Sequence, residues 1–297
     1  MSVSLRVYVA KRLLLLVPTL IGMTLLVFAI TQLFDPIERA SLYISDSRQA
    51  RFVQEIIDKY GLDKPLHIQY FNWLMQVLSG NLGWSQSLHM RVLDAIVTRF
   101  PATAELVIYS APLIILIGVY LGKVSAVRRN TVVDHASRVM AIIGWSLPSF
   151  WLGIMLLAIF YGGLGVFPPG RLSVWAENLV RSGEFKTYTG LYTIDAIINL
   201  NWPVFLDAVY HLVLPVITLT TINVALIMRV MRSSMLEQLG KMYVTAAKAR
   251  GLDSKTVIDK HATRNALTPV VTLSGLLTAG MLSGAVITET VFEFKGI

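Results

Sequence analysis

Residues 13–34, LLLLVPTLIGMTLLVFAITQLF, carry no charged side chain from end to end. About 20 apolar residues are enough to cross a bilayer core as a helix. Arg6, Lys11 and Arg12 stand just ahead of the run, as they would ahead of a secretory signal. The run outlasts the apolar core of about 7–15 residues that such a signal carries, and no small-x-small cleavage site follows it. It reads as a retained membrane helix. The whole chain fits that reading: 55% of its 297 residues are apolar and 15% are charged, against about 25% charged in average globular proteins. Its mean hydropathy is +0.62. The reading is therefore an all-α polytopic membrane protein.

Four further runs qualify as spans. They are 106–122 (extendable back across Glu105 to Phe100), the start of the uncharged run 139–170 to about Tyr161, 208–228 and 266–288. Pro18, Pro112, Pro148, Pro215 and Pro269 fall in or beside the five, where neighbouring groups in a membrane bundle can satisfy the freed carbonyls. Pro148, Pro215 and the polar Asn223 are candidates for a translocation pathway, because breaks in membrane helices often border cavities. Kinks fixed by packing are the equally weighted alternative.

The charges orient the spans. The N-terminus, 123–138 and 229–264 together hold 15 basic and 4 acidic residues, a net +11, while the rest holds 11 basic and 14 acidic, a net −3. A positive-inside rule places these three segments in the cytoplasm. The formal charge of +8 is thus a topology signal and no nucleic-acid footprint. The segments 35–101 and 162–207 are then extracytoplasmic. In the first, Ile68, Phe71, Leu74, Met75 and Leu78 recur at helical spacing before a GNLG turn, so short amphipathic helices on the outer face are expected. In the second, Trp175, Tyr188, Tyr192 and Trp202 read as an interfacial aromatic belt or as a contact for a ligand or partner.

Much chemistry is excluded. There is no cysteine, hence no disulfide or thiolate site. No GxxxxGK[ST] loop is present, so nucleotide hydrolysis is not expected of this chain. The five histidines are scattered without metal-ligand spacing, and His211 reads as an interfacial hydrogen-bonding side chain. Charges inside the spans would mark an ion-driven carrier. Only Glu105 lies close, near the outer end of the second span, where it is expected to reach the interface. A transport chain without an energy source implies an external motor. A stand-alone carrier or channel is the competing class, and its marks, intramembrane charges or an inverted repeat, are nearly absent.

The largest cytoplasmic segment, 229–264, offers a docking element. Two short helices are expected, one around 243–250 and one around 254–265. Gly251 stands at the C-terminal stop of the first, and Asp253 or Ser254 caps the second. The small side chains of Ala246, Ala247 and Ala249 allow close approach of another protein, and Lys248, Arg250 and Lys255 can meet its acids.

This segment resembles the EAA-x3-G signature of ABC-importer permeases, reading Thr245-Ala246-Ala247-x3-Gly251 with threonine for glutamate. Tyr243, Lys248, Arg250, Leu252, His261, Asn265 and Pro269 are similar to the variant of the dipeptide/oligopeptide branch. YGLDKPLHIQY (60–70), SGNLGWS (79–85), RFPATAEL (99–106), SLPSFWLG (146–153), HLVLPVITL (211–219) and TETVFEFKGI (288–297) resemble the first-permease-subunit pattern in order. The resemblance implies a type I importer permease with 1–34 as N-terminus and first span, 35–100 as an outer helical segment and 101–297 as the permease core. Five helices are expected here of a family total of six, the last missing. It implies two ATP-binding subunits holding ATP and magnesium, a second homologous permease, an extracytoplasmic binding protein and the lipid bilayer as partners. No cofactor is expected on this chain. Di- or oligopeptides are the implied cargo, with oligosaccharides or nickel as alternatives.

Overall fold

The computed structural model describes residues 4–44 and 53–296. Ile297 of the 288–297 stretch, and 45–52 of the outer segment, lie outside the described residues. The chain forms two compact units, Met1–Val97 and Thr98–Ile297.

In the first unit, α1 (Leu5–Thr31) continues unbroken through Pro18. After α2 (Pro36–Ala40) come α3 (Val53–Tyr60) and α4 (Leu66–Leu78), followed by a two-residue hairpin of β1 (Trp84–Ser85) and β2 (Met90–Arg91). The aromatic face of α4 meets α1: Tyr70 packs edge-on to Phe28, with ring centroids 5.4 Å apart, and its hydroxyl lies 2.9 Å from Thr24 Oγ1. Arg39 organises the polar interior, donating to Gln32 Oε1, Gln69 Oε1 and the Leu62 carbonyl. The expected amphipathic helices are present, and Phe71, Met75 and Leu78 form an exposed apolar face of α4.

The second unit is built on long helices. α5 (Val92–Val127) starts in the first unit and passes through Pro101 and Pro112. It is followed by α6 (Val132–Ser146) and α7 (Ser149–Leu156), which runs on as a π-helical stretch, Leu157–Gly163. Two short helices, α8 (Val174–Arg181) and α9 (Tyr192–Ile198), precede α10 (Trp202–Leu239). Then come α11 (Met242–Ala249), α12 (Ser254–Thr256), a second π stretch Val257–Ala262, α13 (Thr263–Leu282) and α14 (Val286–Val291).

Among the described residues, four helical stretches are long and apolar enough to cross a membrane: Leu5–Thr31, Val92–Val127, Trp202–Leu239 and Ser254–Leu282. The expected third span is a bent pair of helices that together are apolar enough to cross, which brings the number of spans to as many as five. Its two halves, Val132–Ser146 and Ser149–Gly163, bend by 97° at Leu147–Pro148. The residue before a proline is driven out of the helical region, and Leu147 sits at ψ 130°. Of the five prolines, Pro148 alone stands at a break; Pro18, Pro112, Pro215 and Pro269 lie inside continuous helices.

Helices α5 and α10 cross at glycines. A Cβ at Gly122 would lie 2.6 Å from the Met228 carbonyl oxygen, and one at Gly118 would lie 2.7 Å from Ile227. Small residues four apart let membrane helices approach to backbone contact. Gly122→Ala is expected to cost about 1–3 kcal/mol, the usual range for overpacking. A lowered thermal midpoint of the detergent-solubilised chain checks this, and an unchanged midpoint would contradict the close crossing.

Candidate functional site

The residues singled out in the loop after α10 fall on two surfaces. On α11, Val244 and Ala247 point inward to a core that includes Met231, Met235, Val257, Ala262 and Ala266. Tyr243, Thr245, Ala246, Lys248, Ala249 and Arg250 point outward, and Met242 is 88% exposed. Ala247 is therefore a packing residue that seats the helix, while its neighbours present a small-residue surface with two cations. The stop is a Schellman turn. Leu252 N–H donates to the Ala247 carbonyl at 3.3 Å and Gly251 N–H to the Lys248 carbonyl at 2.9 Å. Gly251 lies at φ +81°, the left-handed conformation this turn requires.

Asp253 caps α12, accepting from Thr256 N–H at 2.9 Å. Hydrogen bonds from the Thr256 hydroxyl and then its N–H hold the Asp253 carboxyl below the usual range, so the cap stays charged. The expected separate helix over 254–265 does not exist as such. α12, the π stretch and α13 form one continuous helix, because nothing breaks the chain between the cap and Leu282. His261, Asn265 and Pro269 all lie exposed along it at four-residue intervals, and Asn265 Nδ2 donates to the His261 carbonyl. Lys123 on α5 pairs with Asp259 at 2.6 Å, tying the π stretch to the end of that helix.

The pathway candidates separate. Asn223 lines a cleft of about 680 Å³ with Trp145, Ser149, Leu277 and Gly280, and its Nδ2 donates to the Leu219 carbonyl. Pro148 caps α7 at the bend. Pro215 is buried inside α10 and does not line this cleft.

Three polar clusters were not legible as such. Glu105 does not reach an interface: it is 1% exposed. Its Oε2 accepts from Arg171 Nη2 at 2.7 Å, and its Oε1 accepts from the N–H and hydroxyl of Thr193 at 2.8 Å each. Arg171 also stacks 4.0 Å over the Tyr192 ring, so Tyr192 is engaged by this pair. Trp175, Tyr188 and Trp202 remain exposed. In the second cluster, Asp134 receives a two-pronged contact from Arg232 (2.9 and 2.8 Å) and the Ser125 hydroxyl at 2.5 Å. In the third, Thr103 donates to Glu289 Oε1 at 2.5 Å, and burial raises the Glu289 carboxyl above its ordinary value. His211, expected at an interface, is 2% exposed with its Nδ1 2.8 Å from the Asp207 carbonyl. One lone acid in a basic loop (Asp134) and one in an apolar run (Glu105) were the available signals. Among the described residues no group of three His, Asp or Glu side chains could hold a metal ion.

Long apolar helices, a bend at a proline and an exposed small-residue helix between two spans define a multi-pass membrane component. Residues 114–297 match the family model of the binding-protein-dependent transport system inner membrane component, and residues 5–107 match the N-terminal model of the membrane component of such systems. The chain belongs to this family. It is 38% identical over 283 residues to the probable D,D-dipeptide transport system permease protein DdpB of Escherichia coli (strain K12), covering 95% of this chain and 81% of that one. It is 39% identical over 294 residues to the di/tripeptide transport system permease protein DppB of Pseudomonas aeruginosa (strain UCBPP-PA14), covering 98% and 84%. It is 31% identical over 291 residues to the oligopeptide transport system permease protein AppB of Bacillus subtilis (strain 168), covering 98% and 84%. The chain is thus a transport component of a membrane and not an enzyme.

Proposed function

We infer that this chain is one of two permease subunits of an ATP-driven importer of di- or oligopeptides, fed by an extracytoplasmic binding protein. Two ATP-binding subunits carry the ATP and magnesium; this chain contributes α11 and the adjoining turn as their docking element. The carrying observation is the outward surface of α11, seated by Val244 and Ala247 and stopped by Gly251. That surface is anchored by its two inward residues and by the hydrogen-bonded turn at its C-terminal end, and its side chains are small enough for another protein to approach its backbone. The relatives' names, all of peptide transport systems, support the cargo. ATPase closure acts on transport only if the ATPase binds two states of the permease with different affinity. The Asn223 cleft is the portion of the pathway this chain contributes.

The positive-inside count puts α11 in the cytoplasm. The chain has no native cysteine, so single substitutions report topology cleanly. Thr245→Cys is expected to react with a membrane-impermeant maleimide only after permeabilisation, and Glu184→Cys in intact cells. The reverse pattern would invert the topology. For function, deleting the gene should abolish uptake of labelled di- and tripeptides, and the tagged chain should purify with two ATP-binding subunits, a second permease and a binding protein. Undiminished peptide uptake, or a chain that purifies only with itself, would overturn the reading.

A further inference from the structure

At the same end of α10 as the α11 loop, a second cleft of about 370 Å³ opens between α6 and α10. Its lining divides sharply by polarity. Arg138, Arg229 and Arg232 stand together, and Ile142, Met228 and Leu236 form much of the remainder. Asp134 is the carboxylate facing these arginines: Arg232 forks onto it, and Arg138 Nε lies 3.4 Å from its Oδ1. The His135 ring is 2.8 Å from Arg138 Nη2. Three guanidinium groups against one carboxylate leave two positive charges in excess at a mainly apolar cleft. Arg229 is exposed and its side chain has no hydrogen bond or ion pair among the described residues.

An amphipath with an anionic head fits this lining, and a soluble anion would leave the apolar part uncovered. The apolar lining continues into an exposed face of α6, where Met140 is 74% exposed and Val139, Ile142 and Ile143 are each more than half exposed. Lipid chains fit a surface of that kind, and basic pockets between membrane helices on the cytoplasmic side take anionic head groups. We propose that this cleft is a binding site for one anionic phospholipid of the inner leaflet, its phosphate held by Arg229 with Arg138 and Arg232 and its chain lying along Ile142 and Met228. Asp134 fixes Arg232 as part of the wall. The leaflet rests on the positive-inside topology; the site itself does not.

The assembled transporter, reconstituted in nanodiscs of equal phosphatidylcholine and phosphatidylglycerol and released into mild detergent, is examined by native mass spectrometry. The wild type should retain phosphatidylglycerol in preference to phosphatidylcholine. Arg229→Gln should lower that retention about fivefold, from roughly 1 kcal/mol per basic residue, and Arg229→Lys should keep most of it. No preference in the wild type, or unchanged retention in Arg229→Gln, would overturn the site. Retention that persists in inorganic phosphate supports a lipid, whereas displacement by phosphate alone would reject it in favour of a free anion. A photoreactive benzoylphenylalanine at Ile142 should cross-link to lipid, and cross-linking to the second permease would instead make the cleft a subunit interface. The Thr245→Cys labelling reads topology without reference to lipid, so failure of one reading is told apart from failure of the other.

Discussion

Gly251→Val is expected to lower peptide uptake roughly 5–150-fold while leaving the amount of chain in the membrane unchanged. No heavy atom lies within 4 Å of a Cβ built on Gly251, so the effect does not come from collision. It comes from the backbone. At φ +81° a β-branched residue is a conformational outlier. Such strain is worth about 1–3 kcal/mol, a factor of roughly 5–150 in the population of the turn. Relieving it opens the turn, frees the Gly251 and Leu252 N–H groups from their carbonyls, and lets the end of α11 fray. The exposed surface then loses its fixed direction relative to α12. Gly251→Asn should retain most uptake, since asparagine visits the left-handed region. Normal uptake and normal ATPase stimulation in the valine variant would remove α11 from the coupling role.

Arg171→Met should destabilise the fold more than any change at the α11 surface. It leaves the Glu105 carboxylate buried with the Thr193 donors but without a cation. Breaking a buried pair from one side costs about 3–5 kcal/mol. For a chain of this size that corresponds to a fall on the order of 10 °C in the thermal midpoint. The double variant Glu105→Gln/Arg171→Met removes both charges and should recover most of the loss. If the single variant melts like the wild type, the pair is hydrated and holds nothing. Because Arg171 also donates to the Gly190 carbonyl at 2.8 Å, the variant should loosen the 162–201 region and leave the α11 surface intact.

What the sequence discloses depends on how far apart the interacting groups are. The spans over 13–34 and 208–228 announce themselves because hydropathy is a sum over neighbours. The Gly251 stop is equally local: one glycine after an alanine-rich turn, one aspartate two residues on. The bend at Leu147–Pro148 is harder. Hydropathy carries no direction, and Pro148 looks no different from Pro215, which α10 accommodates without a break. The ion pairs are harder still. Arg171 and Arg232 reach acids 66 and 98 residues away, and in a positive-inside count Arg232 and Asp134 enter only as loop charges. The inward turn of Ala247 is hidden in a similar way, because a signature says which residues recur and not which face of the helix each one takes.

The π stretch Val257–Ala262 makes this helix tolerant of a shortening at one place. A single π turn is an α-helix carrying one surplus residue, since its hydrogen bonds span five residues and not four. Deleting one residue from that stretch would restore ordinary spacing and leave the faces of α12 and α13 where they are. The same deletion inside α13 would rotate everything beyond it by about 100°, turning the buried Val270, Ser274 and Met281 positions away from the core. The chain can therefore lose one residue at 257–262 more cheaply than elsewhere along this span.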